Sequence, residues 1–302
     1  MILLLLGVSF IVFMSMHLAP GDPATIVAGP GATSTDLEAI RADMGLDKPV
    51  IIQYFDYLQG IVQGDFGYSY QTEEPVTNAI ISRFPNTFKL SFVSMIVATI
   101  IGVVAGIISA IRQNTWLDFS STTLALIGVS IPNFWLGAML ILGFSVNLSW
   151  FPVGGLSASI FSLQGIKELI LPSITLGTAS AALVARMGRS SMLEVIQADY
   201  IRTAKAKGVN RIKVVWIHAL RNALIPIVTI IGINFGTLLG GTIITEKVFA
   251  INGIGQLMIN GILERDFPIV QGSVLFVCAI FVIVNLIVDV IYAVIDPRIS
   301  YE

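Results

Sequence analysis

The chain has 302 residues, 55% of them hydrophobic and only 12% charged, with a mean hydropathy of +0.85 and a net charge of −2. A soluble domain carries about 25% charge, so the composition excludes an ordinary soluble protein and places the chain in the membrane class. One cysteine, Cys278, and two distant histidines, His17 and His218, argue against a disulfide framework and against a thiol or histidine metal site.

A helix needs roughly 20 apolar residues to cross hydrocarbon. Six stretches meet or approach that length: 1–17, 88–111, 119–146, 169–185, 222–244 and 270–295. The first begins at Met1 without a basic lead and ends in His17-Leu18-Ala19-Pro20, which is not a small-residue cleavage site, so it reads as a transmembrane helix. Residues 18–87 follow as a loop with nine acidic and three basic residues. Within it, Thr35-Asp36-Leu37-Glu38 reads as a capping box opening a short helix, and Pro49 to Val62 as a second, amphipathic helix. Gly64-Asp65-Phe66-Gly67 has the letters of the kinase magnesium motif but no glycine-rich loop before it, and reads as a turn.

The third span contains Pro132, which predicts a kink or tilt. The fourth carries ITLGTASAALVA, the small-residue composition that lets helices approach closely. Gly236 and Gly240 in the fifth form a G-x-x-x-G read as packing. Asn133 beside the proline and Asn234 in the fifth span are polar groups in apolar surroundings, and are candidates for a substrate pathway or for interhelical hydrogen bonds. Asp289 is the ionisable residue clearly within a span, and a structural hydrogen bond is favoured there over a proton relay.

The loops after spans one, three and five hold six Lys and Arg over 117 residues, against ten in the 50 residues of the other loops and the tail. Positive charge marks the cytoplasmic side, so both termini are expected inside and residues 18–87 outside. The chain divides into a first helix with its extracytoplasmic loop (1–87), a five-helix core (88–295) with a cytoplasmic loop at 186–221, and a cytoplasmic tail (296–302). An all-α integral membrane protein of six helices follows.

Five of the seventeen basic residues crowd into ADYIRTAKAKGVNRIKV, residues 198–214 of that cytoplasmic loop. Met192 to Lys207 lacks Gly and Pro and predicts one helix, which Gly208 stops after a Lys-rich last turn. A second helix is expected from Asn210 to Asn222, with Pro226 beyond it. Two short helices meeting at a glycine make a rigid knob, which suits docking better than charge retention alone. There is no phosphate-binding G-x-x-x-x-G-K-[ST], no H-E-x-x-H and no G-x-S-x-G, so catalysis is the weaker class of function.

RTAKAKG followed by HALRNALIP resembles the cytoplasmic EAA loop of the permease subunits of type I ABC importers. The similarity is to the dipeptide, oligopeptide, glutathione and nickel branch and its B-type permease. APGDPA (19–24), GLDKP (45–49), GDFGYS (64–69), SIPNFW (130–135), RSSMLEV (189–195), GGTIITEKVF (240–249), RDFPIVQG (265–272) and NLIVDVIYAVIDPRI (285–299) extend it nearly end to end. Arg202, Thr203 and Ala204 stand where the wider family has Glu-Ala-Ala, and Gly208 is the loop glycine. Leu220-Arg221 replaces the wider family's Leu-Pro, and the short basic lead is missing.

The resemblance implies the type I importer fold in a bacterial plasma membrane. It implies a non-catalytic subunit for di- and oligopeptides, pairing as a heterodimer with a second permease. Two cytoplasmic ATPases would bind ATP and magnesium, so this chain would hold no cofactor and no metal. An extracytoplasmic binding protein would deliver substrate. Arg202, Thr203, Ala204, Lys205, Ala206, Lys207 and Gly208 would be the contact with the ATPases. Glutathione, nickel or a metal complex are alternative cargoes; an ion-coupled secondary transporter is the alternative from another class, and a membrane-embedded enzyme ranks third.

Overall fold

The computed structural model of the protein describes residues 2–18, 21–29, 31–210 and 213–295, with all their side chains except those of 205 and 291–295. Arg211 and the tail expected at 296–302 lie outside the described residues. Every regular element is a helix, and among the described residues there is no strand, only an isolated bridge between Tyr68 and Pro75. Helices α1 to α5 span Ile2–Leu18, Pro23–Ala28, Ser34–Asp43, Val50–Val62 and Val76–Ile111. Helices α6 to α9 span Trp116–Ser130, Asn133–Leu140, Leu163–Gln197 and Asp199–Ala206. Helices α10 to α13 span Leu220–Gly241, Ile243–Val248, Ile254–Glu264 and Phe267–Ile295.

Among the described residues, four helical segments are long and apolar enough to cross a membrane: Val76–Ile111, Leu163–Gln197, Val214–Gly241 and Phe267–Val290. A fifth is available if α6 and the Asn133–Asn147 segment count together. The 17 residues of α1 rise about 1.5 Å each, or roughly 25 Å, at the short end of what hydrocarbon requires.

The expected kink at Pro132 is a full break, with its two arms bent by 103°. A proline disfavours the helical region for the residue before it, and Ile131 is extended (φ −77°, ψ 125°), as is Pro132 itself (ψ 133°). Two successive non-helical residues end one helix and start another, and the second arm finishes in π-helical geometry over Ile141–Asn147. Pro226, expected beyond a helix end, instead lies inside α10. In a bilayer, neighbouring helices and local π adjustments tolerate the lost hydrogen bond, and a π-helical segment, Val214–Ala219, leads into α10.

Backbone contacts divide the chain into two compact units: residues 1–87 with 252–280, and 88–251 with 281–302. In the first, α1 and α4 join through a hydrogen bond between the Ser9 and Tyr54 hydroxyls (2.9 Å) and through Phe13 against Tyr54 and Tyr57, with ring centroids 5.3 and 5.5 Å apart. The amphipathic helix expected from Pro49 to Val62 is α4. The capping box starts at Thr33, not Thr35: Asp36 accepts from the Thr33 N–H at 2.9 Å and returns its own N–H to the Thr33 hydroxyl at 3.3 Å. Asp36 is three residues from Thr33, the spacing a box needs, and the Thr33 hydroxyl (2.7 Å) and N–H, both donating to Oδ2, hold its carboxyl below the usual range. Gly64 to Gly67 is indeed a turn, with φ of +80° and +82° at its two glycines and the Gly67 N–H donating to Asp65 Oδ1 at 2.8 Å. The core of this unit collects Val76, Ile80, Ile254, Leu257 and Ile269.

In the second unit the small residues of α8 bring it against α5. A Cβ added to Gly177 would lie 2.8 Å from Ser94 O, and one added to Gly102 2.7 Å from Ala181 O. In α10 the working glycine pair is Gly232 and Gly236, one turn earlier than the Gly236 and Gly240 pair read from sequence. A Cβ at Gly232 would meet Val288 Cγ1 at 2.3 Å and one at Gly236 would meet Phe281 Cε2 at 3.0 Å, whereas Gly240 has nothing within 4 Å. Gly232→Leu is therefore expected to destabilise the purified protein by about 2–3 kcal/mol through overpacking. Gly240→Leu should leave its thermal midpoint unchanged, and equal losses in both variants would refute this assignment.

Candidate functional site

The basic segment sits between α8 and α10. The single helix expected from Met192 to Lys207 is interrupted at Ala198, whose ψ of 147° ends α8. No Gly or Pro marks this corner. It turns Ile201 of α9 fully inward, into a core with Met192, Ile107, Val214 and Ala223. Burial of an isoleucine contributes about 1.5–3 kcal/mol, enough to outweigh the local preference of a Gly-free run for continuing helix. Asp199 begins α9 at its electropositive end. Its 3.5 Å contact with Arg202 is between groups 97% and 74% exposed, and a pair so solvated contributes little.

The end of α9 follows from Gly208. At φ +75° it adopts the left-handed conformation, with the Val209 N–H bonded to Ala204 O at 3.2 Å and the Lys207 N–H to Thr203 O at 3.0 Å. A bond from the second residue past the cap back to the third-last helical carbonyl defines a Schellman stop. Its accompanying apolar contact is present, since Ala204 and Val209 both pack on the core that holds Ile201. The opposite face presents Arg202, Thr203, Ala206, Lys207 and Gly208 to solvent. Lys205 lies on the helix, and its side chain is outside the described residues. The result is a short helix rooted on one side and free, basic and polar on the other.

The asparagines differ. Asn133 is half-buried in the first turn of α7, just past the break. Asn234 is buried, and its amide donates to Ile230 O in its own helix at 2.8 Å. Asp289 is exposed on α13. Among the described residues no cluster of three His, Cys, Asp or Glu side chains could hold a metal. In the first unit a cavity of about 390 Å³ is lined by Lys48, Asp56, Tyr57 and Tyr70 among others. Burial pushes the Tyr57 phenol above its ordinary range and that of Tyr70 to about 12, so both stay protonated at neutral pH.

Residues 102–301 match the family described as binding-protein-dependent transport system inner membrane component, and residues 1–91 match its amino-terminal companion. The chain belongs to this family. It is 45% identical over 295 residues to the glutathione transport system permease protein GsiC of Escherichia coli (strain K12), covering 98% of this chain and 94% of that one. The protein of the same name from Shigella dysenteriae serotype 1 (strain Sd197) matches with the same identity and coverage. In fold it is similar to the inward-facing MetNI methionine ABC transporter, with a TM-score of 0.62 at 21% identity over 74% of this chain and 99% of that one. This chain is thus a permease subunit of a bacterial ABC importer and an inner-membrane component. The family sets aside the ion-coupled secondary transporter.

Sequence reading missed one feature of this permease. Only Asp289 was expected clearly within a span, but α6 and α8 begin earlier or end later than the apolar runs and enclose Asp118, Glu168 and Arg189. Asp118 and Arg189 pair at 2.7 Å. An acid and a base flanking apolar runs was the available signal, but 71 residues separate them and nothing local joins them.

Proposed function

We propose that this permease imports small peptides, pairs with a second permease to form the pathway, and docks two cytoplasmic ATPases through Arg202 to Gly208. The observation that carries the docking role is the helix Asp199–Ala206, anchored by Ile201 and stopped at Gly208 with its basic face uncovered. A cation-bearing rigid projection complements an acidic groove without having to order itself on binding. ATP and magnesium reside in the ATPases, and this chain is non-catalytic. An extracytoplasmic binding protein delivers cargo. The topology is six spans with both termini inside, and Asn133 and Asn234 belong to the pathway.

Glutathione is a second reading, favoured by the 45% identity to a glutathione permease; as a tripeptide it falls in the same chemical class. The test reconstitutes the permease with its second permease, ATPases and binding protein and compares uptake of labelled di- and tripeptides with that of glutathione. Saturable, ATP-dependent uptake of peptides supports the first reading, uptake of glutathione alone the second, and uptake of neither overturns both. Cysteine labelling in a Cys278→Ser background checks orientation: Gln59→Cys should react only from outside and Asn210→Cys only from the cytoplasm. The reverse pattern would exclude docking by this loop.

A further inference from the structure

Asp118, the third residue of α6, is 4% exposed, and its carboxylate accepts four hydrogen bonds. Arg189 of α8 donates two, from Nε to Oδ1 at 2.7 Å and from Nη2 to Oδ2 at 2.8 Å. The Ser109 hydroxyl of α5 donates to Oδ1, and the backbone N–H of Asn114 donates to Oδ2 at 3.0 Å. Asn114 is itself held at φ +61° in the turn between α5 and α6. Each oxygen thus accepts two bonds, and the two-pronged contact needs the planar fork of arginine, which lysine lacks.

Helices α5 and α8 touch backbone to backbone at the same level, where a Cβ on Gly106 would lie 2.7 Å from Ala185 O and 3.0 Å from Arg189 N. Helix α6 instead borders a cavity of about 480 Å³, lined in part by Phe119, Ala125 and Val129, and another of about 200 Å³, lined in part by Leu124 and Thr178. Atoms beside a void have no contact partners there, so near Asp118 the tie between α6 and α8 rests on this carboxylate. Further along α6 the two helices pack closely, where a Cβ on Gly128 would lie 3.0 Å from Thr178 Cγ2. The Asp118 carboxylate ties this end of α6 to both α5 and α8.

We infer that the Asp118–Arg189 pair is a transmission joint that makes α6 move with α8 when the docking helix is displaced. The inference rests on the docking role proposed above. Displacement of α9 reaches α8 and α5 through the core shared by Ile201, Met192, Ile107 and Val214. The ion pair passes it to α6, and α6 leads to the 103° break and to α7, where Asn133 stands. Asp118 and Arg189 are positioning residues and need touch neither cargo nor nucleotide.

The test uses the complete importer in proteoliposomes, with Asp118→Asn and Arg189→Lys. Both variants should retain their ATPases and basal hydrolysis, while substrate imported per ATP hydrolysed falls by roughly tenfold, within the usual range of coupling between sites. A fall in assembly and uptake at an unchanged ratio, or no change at all, would overturn the joint. If the variants fail to assemble, the wild-type joint decides. Spin labels at Leu124→Cys in α6 and Glu194→Cys in α8, in the Cys278→Ser background, should keep one separation in nucleotide-free and ATP-bound states. A separation that changes on ATP binding overturns the proposal. Both residues are on the described surface, exposed to solvent or lipid. Failure of the docking role reads out separately, as unaltered stimulation in Gly208→Val.

Discussion

Gly208→Val is expected to uncouple the permease from its ATPases while leaving the membrane helices folded. A Cβ at position 208 would meet nothing within 4 Å, so no steric clash with a neighbour is involved. The whole effect comes from φ +75°, where an L-residue costs roughly 1–2 kcal/mol and a β-branched one is a genuine outlier. That strain corresponds to about tenfold in an equilibrium constant, spent by unwinding the Schellman stop and releasing Val209 from the core. The physical cause dictates an order among variants. Asn, which tolerates the left-handed region, should come near wild type, Ala should be intermediate, and Val should be worst. The measurement is co-purification of the ATPases with each variant and substrate-stimulated ATP hydrolysis. A loop that merely retains charge on the cytoplasmic side predicts full activity in all three, because none alters a charge.

Gly102→Val should produce a large loss of stability in the second unit. The added Cβ would lie 2.7 Å from Ala181 O and 2.7 Å from Val184 Cβ. Replacing a mid-helix glycine relieves up to about 1 kcal/mol of propensity penalty, while overpacking costs about 1–3 kcal/mol and sometimes more. A carbonyl inside a helix cannot step aside as a flexible side chain can, so the overpacking term wins and a net loss of about 2 kcal/mol or more is expected. Thermal unfolding of the purified permease in detergent measures it. Gly7→Ala in α1, with nothing within 4 Å, is the control and should not lower the midpoint. A Gly102→Val protein as stable as wild type would mean that α5 and α8 do not approach as closely as described.

What the sequence determined by itself is whatever depends on near neighbours. Long apolar runs place the spans, because burial in lipid depends on composition along one helix. The small residues of ITLGTASAALVA announce a close helix contact, because only side-chain size limits approach. Gly208 announces a helix end, because the left-handed region is a property of one residue. Helix limits were less legible. Val76 starts α5 twelve residues ahead of the apolar run beginning at 88, since Arg83 and Asn86 find partners at Asn252, at 3.0 Å each, and so remain helical where composition suggested loop.

Tertiary structure alone decided three things. Pro132 could have kinked a helix or broken it, and the 103° break depends on what the two arms pack against. The corner at Ala198 has no local cause; it follows from the burial of Ile201. The Asp118–Arg189 joint requires two spans to meet side by side, because opposite charges 71 residues apart acquire a fixed partner only when folding brings them together, here with Asp118 buried and Arg189 half-buried.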